Sequence, residues 1–285
     1  MAYNPPGTNI KKFCFILLFC GGFISVLVIL IQDPLQHHRL WACPDPCPLP
    51  GAGTFTPVPV KRTALISFPG SGNTWARHLL TTSTGLLTGS VYLHPLAVSI
   101  SSNGNGKAAR VVAVKTHLAP AATRAKFLLD RGILLIRNPY EAILAEFNRQ
   151  GRGNQTGIRT AQSFLKGWPK HVQNNMGGWK NLHLAWAKDN TSLHVLVYHR
   201  MVAHLEQELH NTLQFLNLSF VTPRIHCAVR KPEGYAHRKK PDWVEEMAVF
   251  SRTQRQSLNA AIDSVRKALL KKTGVDFADM DQWKR

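Results

Sequence analysis

The sequence predicts an α/β protein whose central parallel sheet is flanked by helices. Three short apolar runs support this fold class: Thr63–Ile66, Val111–Val114 and Ile133–Ile136. Each has the length and composition of a buried strand, and each stops abruptly at a glycine turn or a basic residue. Because ligands bind beyond the carboxyl ends of the strands in open α/β sheets, the three terminations indicate one site at that edge.

A transmembrane helix is expected in front of this domain. Residues 13–31 are almost entirely apolar, and about 19 helical residues cover the hydrocarbon core of a bilayer. Since Lys11 and Lys12 precede the run and Asp33 follows it, the short N-terminus is expected in the cytosol and the rest of the chain outside it. A cleaved signal peptide is the alternative, which the length of the run disfavours.

Composition divides the 285 residues into four segments. They are a cytosolic tail (1–12), the transmembrane anchor (13–31), a stem rich in proline and glycine (32–60) and the folded domain (61–285). Cys43, Cys47 and Cys227 lie beyond the anchor, where disulfides persist, and the sequence leaves their pairing open. Three N-glycosylation sequons fit the same secretory route, at Asn154, Asn190 and Asn217.

The charge balance indicates an anionic partner. Lysine and arginine number 35 against 16 acidic residues, which gives a formal net charge of +19. Such an excess suits nucleic acid, anionic lipid, or sulfated, phosphorylated or sialylated material. Because the domain is expected outside the cytosol, nucleic acid is the least favoured of these partners.

The first apolar run leads into the glycine turn Ser67–Trp75 and then into an apolar helix. Gly70 and Gly72 permit positive φ angles and close approach, and such a turn presents N–H groups to an anion at a helix N-terminus. No Gly-Lys-Ser/Thr closes the turn, so it is not a Walker A loop. A P-loop kinase is further disfavoured because no magnesium-binding carboxylate follows a strand.

The second and third runs end in basic residues. Lys115 and His117 follow the second run, and a histidine beside a lysine at this edge is a candidate general base. Arg137 follows the third run and suits a bidentate phosphate contact, although pairing with Glu141 or Asp130 would explain it equally well. Neither a carboxylate cluster nor a cysteine and histidine pattern suggests a metal site.

Together these motifs resemble those of sulfotransferases that use 3′-phosphoadenosine 5′-phosphosulfate (PAPS). Ser67–Trp75 resembles the loop that binds the 5′-phosphosulfate, commonly Tyr-Pro-Lys-Ser-Gly-Thr-Thr-Trp. Lys115–Leu118 resembles the segment that carries the catalytic base, and Arg137–Pro139 the element that holds the 3′-phosphate. The order and spacing match over about residues 61–235. The chain looks most similar to the WSC-domain (sialate O-) sulfotransferases, but it has a short stem in place of their WSC modules.

The resemblance implies a sulfotransferase fold, PAPS as co-substrate without a metal, and a set of site residues. His117 and Lys115 would be catalytic. The turn would bind the 5′-phosphate, Trp75 and Tyr198 the adenine, and Arg137 the 3′-phosphate. The implied nucleotide-binding residues are Gly70, Ser71, Gly72, Asn73, Thr74, Trp75, Arg137, Tyr198, Arg230 and Lys231. Competing candidates for the last two are Arg238, Lys239 and Lys240.

The resemblance also implies an acceptor and a location. Sialic acid on glycoproteins or glycolipids would be the acceptor, with other anionic glycans or protein tyrosine as alternatives. The chain would be a single-pass type II protein of the Golgi membrane with its catalytic domain in the lumen.

Two positions depart from the sulfotransferase pattern. Gly70 replaces a lysine that often contacts the sulfuryl group, and Ala145 replaces a serine eight residues after Arg137. Lys115 or Arg77 is expected to supply the missing charge. The departures also leave open a membrane-anchored protein that binds PAPS or glycans with little catalysis.

Two further patterns concern packing. Apolar residues recur at helical spacing across 242–272, which predicts one or two packing helices. Trp168, Trp179 and Trp186 suit either the core or a sugar-binding platform, with the core favoured for at least two of them.

Overall fold

The structure is a computed structural model that describes most of the chain. The described residues are 14–20, 23–29, 53–93, 97–100, 104–150, 161–218, 224–233 and 249–285. The chain divides into two compact units, Met1–Ala42 and Cys43–Arg285. Most of the predicted stem, including Cys43 and Cys47, lies outside the described residues.

In the first unit the structure has two strands where the sequence analysis predicted a helix. Strands β1 (Cys14–Cys20) and β2 (Phe23–Ile29) pair antiparallel. No helix among the described residues is both long enough and apolar enough to cross a bilayer. Apolar runs rich in Phe, Ile and Val are compatible with either element, and a Gly-Gly pair between two such runs is a hairpin sequence. The membrane anchor stays a prediction.

The second unit contains a six-stranded sheet, and every neighbouring pair in it is parallel. Its strands are β3 (Thr63–Ser67), β4 (Gly89–Ser90), β5 (Val98–Ser99), β6 (Val114–Thr116), β7 (Arg131–Ile136) and β8 (Ser192–Val197). Their order is β5-β4-β6-β3-β7-β8, so β3 occupies an inner position between β6 and β7. This arrangement confirms the predicted α/β class with a parallel central sheet.

Helices follow most of the strands. They are α1 (Asn73–Thr84), α2 (Asn105–Ala108), α3 (Pro120–Arg124), α4 (Pro139–Gln150), α5 (Ala161–Lys188), α6 (Tyr198–Ala203), α7 (Leu205–Phe215), α8 (Ile225–Arg230), α9 (Arg252–Thr273) and a final 3₁₀ helix (Ala278–Trp283). Ser251 caps α9 in a capping box with Gln254. The apolar repeat of α9 is buried, as predicted for the described part of 242–272.

Burial explains why the two longest central runs were readable in the sequence. All residues of β3 and β7 are buried, and a parallel strand covered on both faces needs a continuous apolar run. The second run differs from its prediction because only Val114–Thr116 is a strand. Lys115 therefore lies within β6, and His117 follows its last residue.

Strand register places the predicted site residues at one edge. Ile66 pairs with Thr116, so Ser67 and His117, each one residue later, are neighbours beyond β3 and β6. Ile136 pairs with Val197, so Arg137 and Tyr198 are neighbours in the same way. All four lie at the carboxyl edge of the sheet.

Candidate functional site

The turn between β3 and α1 has the backbone that the glycines predicted. Gly70 and Gly72 have φ angles of 82° and 91°, which side chains disfavour. Gly72 is the N-cap of α1, and no side chain caps the helix or places a carboxylate in its first turn. Among the described residues no side chain engages the first N–H groups of α1, and the helix dipole there favours an anion.

Close packing adds a second reason for both glycines. A Cβ at Gly72 would lie 2.7 Å from the ring of Tyr198. At Gly70 it would overlap the carbonyl oxygen of Ala142 and lie 2.8 Å from the backbone nitrogen of Glu146, both in α4. The absence of a lysine at position 70 is thus a consequence of how α4 packs on the turn.

The polar side chains of the turn point inward. Asn73 Nδ2 donates to the carbonyl oxygen of Leu65 at 3.1 Å and to Ser67 Oγ at 3.2 Å, which ties the start of α1 to the end of β3. Ser71 is fully buried, and its Oγ has no hydrogen-bond partner among the described residues. Gly72 and Thr74 are partly exposed, so an anion would meet the backbone here more than the side chains of Ser71 or Asn73.

Arg137, Tyr198, Trp75 and Gly72 form what we call the Arg137 cluster. The guanidinium of Arg137 lies over the Tyr198 ring, 4.2 Å from its centroid, and Trp75 meets the same ring edge-on at 5.5 Å. Arg137 donates through Nε to Glu141 at 2.9 Å and through Nη1 to the Gly70 carbonyl at 3.0 Å. Pairing of Arg137 with Glu141, the structural alternative, is therefore present without removing the arginine from the site.

The segment after α8 reaches this cluster through its backbone. The carbonyl of Pro232 accepts a 2.7 Å hydrogen bond from Trp75 Nε1, and that of Lys231 lies 3.5 Å from His78 Nε2. The side chains of Arg230 and Lys231 are exposed beside it. The competing candidates at positions 238–240 lie outside the described residues.

A second group, which we call the His117 cluster, comprises Ser67, Tyr92, Lys115 and His117. His117 Nδ1 lies 2.7 Å from the carbonyl oxygen of Ser67 and 3.3 Å from its Oγ. A carbonyl oxygen only accepts, so Nδ1 carries the proton in the neutral ring and Nε2 keeps its lone pair. The strand end thus orients the imidazole as a base.

Tyr92 was not predicted from the sequence. Its hydroxyl accepts a 3.1 Å hydrogen bond from the backbone N–H of His117, and its ring stacks on the imidazole with 5.5 Å between centroids. Lys115 Nζ lies 5.9 Å from the centre of the same ring. Tyr92 stands 25 positions before His117 and belongs to no recognised motif, so no sequence signal linked the two.

Positive charge is concentrated around the candidate base. Burial, followed by the charge of Lys115, lowers the pKa of His117 to about 3, against the effect of its hydrogen bond to Ser67. Burial, then Arg77 and Arg149, lowers the pKa of Lys115 to about 8. Glu146 opposes this shift in Lys115. His117 is therefore neutral at pH 7, and any anion bound here would favour its protonated form.

Buried tryptophans support the site from below. Trp179 and Trp186 are fully buried, and their Nε1 groups donate to the carbonyls of Arg137 and Leu118 at 3.0 Å. Trp168 is buried as well and donates to Val249. The three rings belong to the core, as favoured, and two of them hold the loops that carry Arg137 and His117.

The structure therefore brings most of the predicted residues to one edge, although the roles assigned to them stay predictions. Within the part of the chain that the structure describes, no three His, Cys, Asp or Glu residues are placed to hold a metal ion.

This architecture is that of the sulfotransferases. Mouse sulfotransferase SULT7A1, solved in complex with 3′-phosphoadenosine 5′-phosphate (PAP), matches the structure with a TM-score of 0.50 and 13% sequence identity. The match covers 79% of this chain and 90% of the mouse chain. The predicted sulfotransferase fold is thereby confirmed.

In sequence, the chain is similar to members of the WSCD family. WSCD family member CG9164 of Drosophila melanogaster is 40% identical over 184 residues, and WSCD family member AAEL009094 of Aedes aegypti is 41% identical over the same length. Each match covers 62% of this chain but only 57% of the relative. No protein-family model matches the chain. The resemblance predicted from the motifs is confirmed.

Proposed function

We propose that this protein is a sulfotransferase that moves a sulfuryl group from PAPS to a hydroxyl of a glycan. The observation that carries the proposal is the His117 ring, held by the Ser67 carbonyl beside an uncapped, glycine-rich helix N-terminus. One edge of the sheet thus combines a neutral base with a place for a phosphate. Both are needed for in-line transfer to a hydroxyl.

The residues at this edge fit the donor. The uncapped N–H groups after Gly72 suit its 5′-phosphate, and Arg137, which is already oriented by Glu141 and Tyr198, suits the 3′-phosphate. Trp75 and Tyr198 offer aromatic surface for the adenine. When bound, PAPS supplies the sulfuryl group and leaves as PAP.

His117 performs the proton transfer in this proposal. Nε2 takes the proton of the acceptor hydroxyl while the new O–S bond forms, and Nδ1 stays bound to Ser67. In sulfotransferases a lysine often contacts the sulfuryl group from the position of Gly70, where no side chain fits in this protein. Lys115 takes over that role in this proposal and stabilises the negative charge of the transferring group. A positioned base of this kind contributes about 10²–10⁴ to the rate.

For the acceptor we propose sialic acid on glycoproteins or glycolipids. The formal net charge of +19 and the cations around His117 support an anionic glycan. The similarity to WSCD family members supports the same choice through the resemblance described above.

We also propose a Golgi location with a type II orientation. The apolar run at 13–31 and the lysines before it support this, and so does Cys227, which is buried and disulfide-bonded. Asn190 and Asn217 are exposed, as glycosylation requires. Endoglycosidase treatment of the protein from secretory membranes should increase its mobility; unchanged mobility would argue against a lumenal domain.

A binder of PAPS with little catalysis is the second candidate, favoured by Gly70, since the turn cannot hold the lysine common in sulfotransferases. Full-length protein, ³⁵S-labelled PAPS and matched sialylated and desialylated glycoproteins separate the two. We expect label on the sialylated acceptors alone. Tight PAP binding without any transfer would establish the binder instead, and binding of ATP as tight as that of PAP would remove the donor assignment.

A further inference from the structure

Arg149 and Glu146, near the end of α4, form an ion pair in which one partner is buried and the other is open to solvent. The side chain of Glu146 is 3% exposed and that of Arg149 is 49% exposed. Arg149 donates through Nε and Nη2 to the two carboxylate oxygens, at 2.6 and 2.5 Å. A bidentate contact with a buried carboxylate fixes the guanidinium in place.

One face of this guanidinium remains available. Nη1 makes no hydrogen bond to the residues that the structure describes, while Nε and Nη2 face Glu146. An arginine held on one side and open on the other is preorganised for an anion, because little side-chain entropy is lost when a ligand binds.

The pair lies beside the proposed reaction centre. A Cβ at Gly70 would be 2.8 Å from the Glu146 backbone nitrogen, so this part of α4 packs directly on the glycine turn. Arg149 pairs with Glu146 one helical turn earlier, and after burial its charge is among those that lower the pKa of His117 and Lys115. Arg137, by contrast, belongs to the other cluster.

Positive charge predominates around Lys115 and His117. The charges of Arg77 and Arg149 act on both groups, and among the described residues Glu146 opposes their effect on Lys115. The donor would meet the turn and Lys115, whereas Arg149 stands at the solvent-facing end of α4. The guanidinium of Arg149 therefore suits a negative charge on the acceptor, which is the second substrate.

We propose that Arg149 anchors a carboxylate of the acceptor, so that the substrate class is an acidic sugar whose hydroxyl reaches His117 while its carboxylate contacts Nη1. Glu146 is the positioning residue that aims the guanidinium. The inference rests on the proposed function and assigns the residue that recognises the acceptor's carboxylate, a group that sialic acids share with hexuronic acids.

Equilibrium binding in the presence of saturating PAP tests this directly. The probes are 3′-sialyllactose and its methyl ester, which keeps every hydroxyl but lacks the charge, and methyl glucuronide in acid and ester form. We expect the wild-type protein to bind one acid about tenfold more tightly than its ester. The acid that shows this preference identifies the sugar.

Arg149→Gln should remove this preference and leave PAP binding unchanged. The matched control is Arg124→Gln, because Arg124 is similarly exposed (42%) and also pairs with a less exposed carboxylate, that of Asp189. In transfer assays Arg149→Gln should raise KM for the acid much more than KM for the ester, and any change in kcat that follows from the altered pKa of His117 should be the same for both acceptors.

Several results overturn the inference. They are equal binding of acid and ester by the wild type, or an Arg149→Gln effect that is the same for both probes or is matched by Arg124→Gln. If the wild type prefers the acid but transfers no sulfate, the proposed catalysis fails and the anchor stands. If it transfers sulfate without preferring the acid, the anchor fails alone.

Discussion

Arg137 and Lys115 lie at the same edge of one sheet, but the protein surrounds their charges differently. Arg137 has its own carboxylate, Glu141, together with a carbonyl and an aromatic face. Burial and then the charges of Arg77 and Arg149 lower the pKa of Lys115, and Glu146, which pairs with Arg149, opposes this shift. Arg137 is therefore paired with a carboxylate before any ligand binds, whereas Lys115 lies among other positive charges.

Under the proposed function, this difference separates a surface that binds the donor from one that takes part in the reaction. A paired arginine provides geometry at little electrostatic cost, which suits recognition of a phosphate. Burial, followed by the charge of Lys115, keeps His117 unprotonated, and an incoming anion would offset part of the positive charge. The base is therefore expected to gain basicity only when negatively charged substrates are present.

Removal of the His117 side chain tests the His117 cluster and should have the largest effect on activity. His117→Ala is expected to lower kcat by about 10²–10⁴, because the acceptor proton loses its base, with PAP affinity unchanged. Labelled PAPS and calorimetry measure the two quantities. His194→Asn is the control, since this histidine of β8 also has a lowered pKa but contacts Thr212 and Phe215 instead. Comparable losses in both variants would contradict the assignment.

Gly70→Ala tests the contact of α4 with the turn, on which both clusters depend. Overlap with Ala142 adds to the cost of a positive φ, so we expect a loss of about 2–4 kcal/mol in the free energy of unfolding. Gly274→Ala separates the two terms, because Gly274 has a φ of 72° and open space around it. Urea denaturation should show a clearly smaller loss in the free energy of unfolding for Gly274→Ala than for Gly70→Ala. Equal losses would mean that α4 moves aside and accommodates the added methyl group.

Arg137→Gln tests the Arg137 cluster. Loss of a charged contact to the 3′-phosphate should weaken PAP binding about 10- to 100-fold. Affinity for adenosine 5′-phosphosulfate, which lacks that phosphate, should change little, and calorimetry with both nucleotides measures this. A parallel loss for the two ligands would place Arg137 away from the 3′-phosphate.

Binding of PAP should change the pKa of His117 within the His117 cluster. Its negative charge favours the imidazolium, so the pKa of His117 should rise from about 3 when PAP binds. NMR titration of the ring Cε1–H signal, assigned with His117→Gln, reports the value with and without PAP. An identical titration in both states would show that the nucleotide charge does not reach the ring.

A pH-dependent stability difference at His194 is the smallest expected effect. Burial lowers its pKa to about 4, so the unfolded chain takes up a proton below about pH 6.5 while the folded chain does not. Stability linked to this ring is present above pH 6.5 and is lost as the pH falls towards 4. Wild type should exceed His194→Asn by about 1 kcal/mol at pH 7, and thermal unfolding should show the difference falling to zero and then reversing as the pH approaches 4.

Much of the fold could be predicted because burial leaves a local record. The continuous apolar runs of β3 and β7 and the repeat of α9 could be read residue by residue. The first unit resisted such reading, since the same apolar composition between 14 and 29 serves a helix or a hairpin. The site motifs were readable for a related reason: each directly follows a strand.

Other parts of the site depend on contacts between distant positions. Tyr92 meets His117 only because β4 pairs with β6, and Pro232 meets Trp75 across 157 positions. The inward orientation of Asn73 and the sharing of Glu146 by Arg149 and Lys115 likewise follow from packing. No spacing in the chain encodes these relations.

The sequence by itself determined the fold class, the glycine turn and the two strand ends that carry Lys115, His117 and Arg137. These follow from local hydrophobicity and backbone freedom, which act over a few residues. Only the tertiary structure decided that position 70 must be a glycine and which tautomer His117 adopts. It also decided that Glu146 pairs with Arg149 and acts on the pKa of Lys115. Those properties depend on distance and desolvation, and both arise when separate segments pack together.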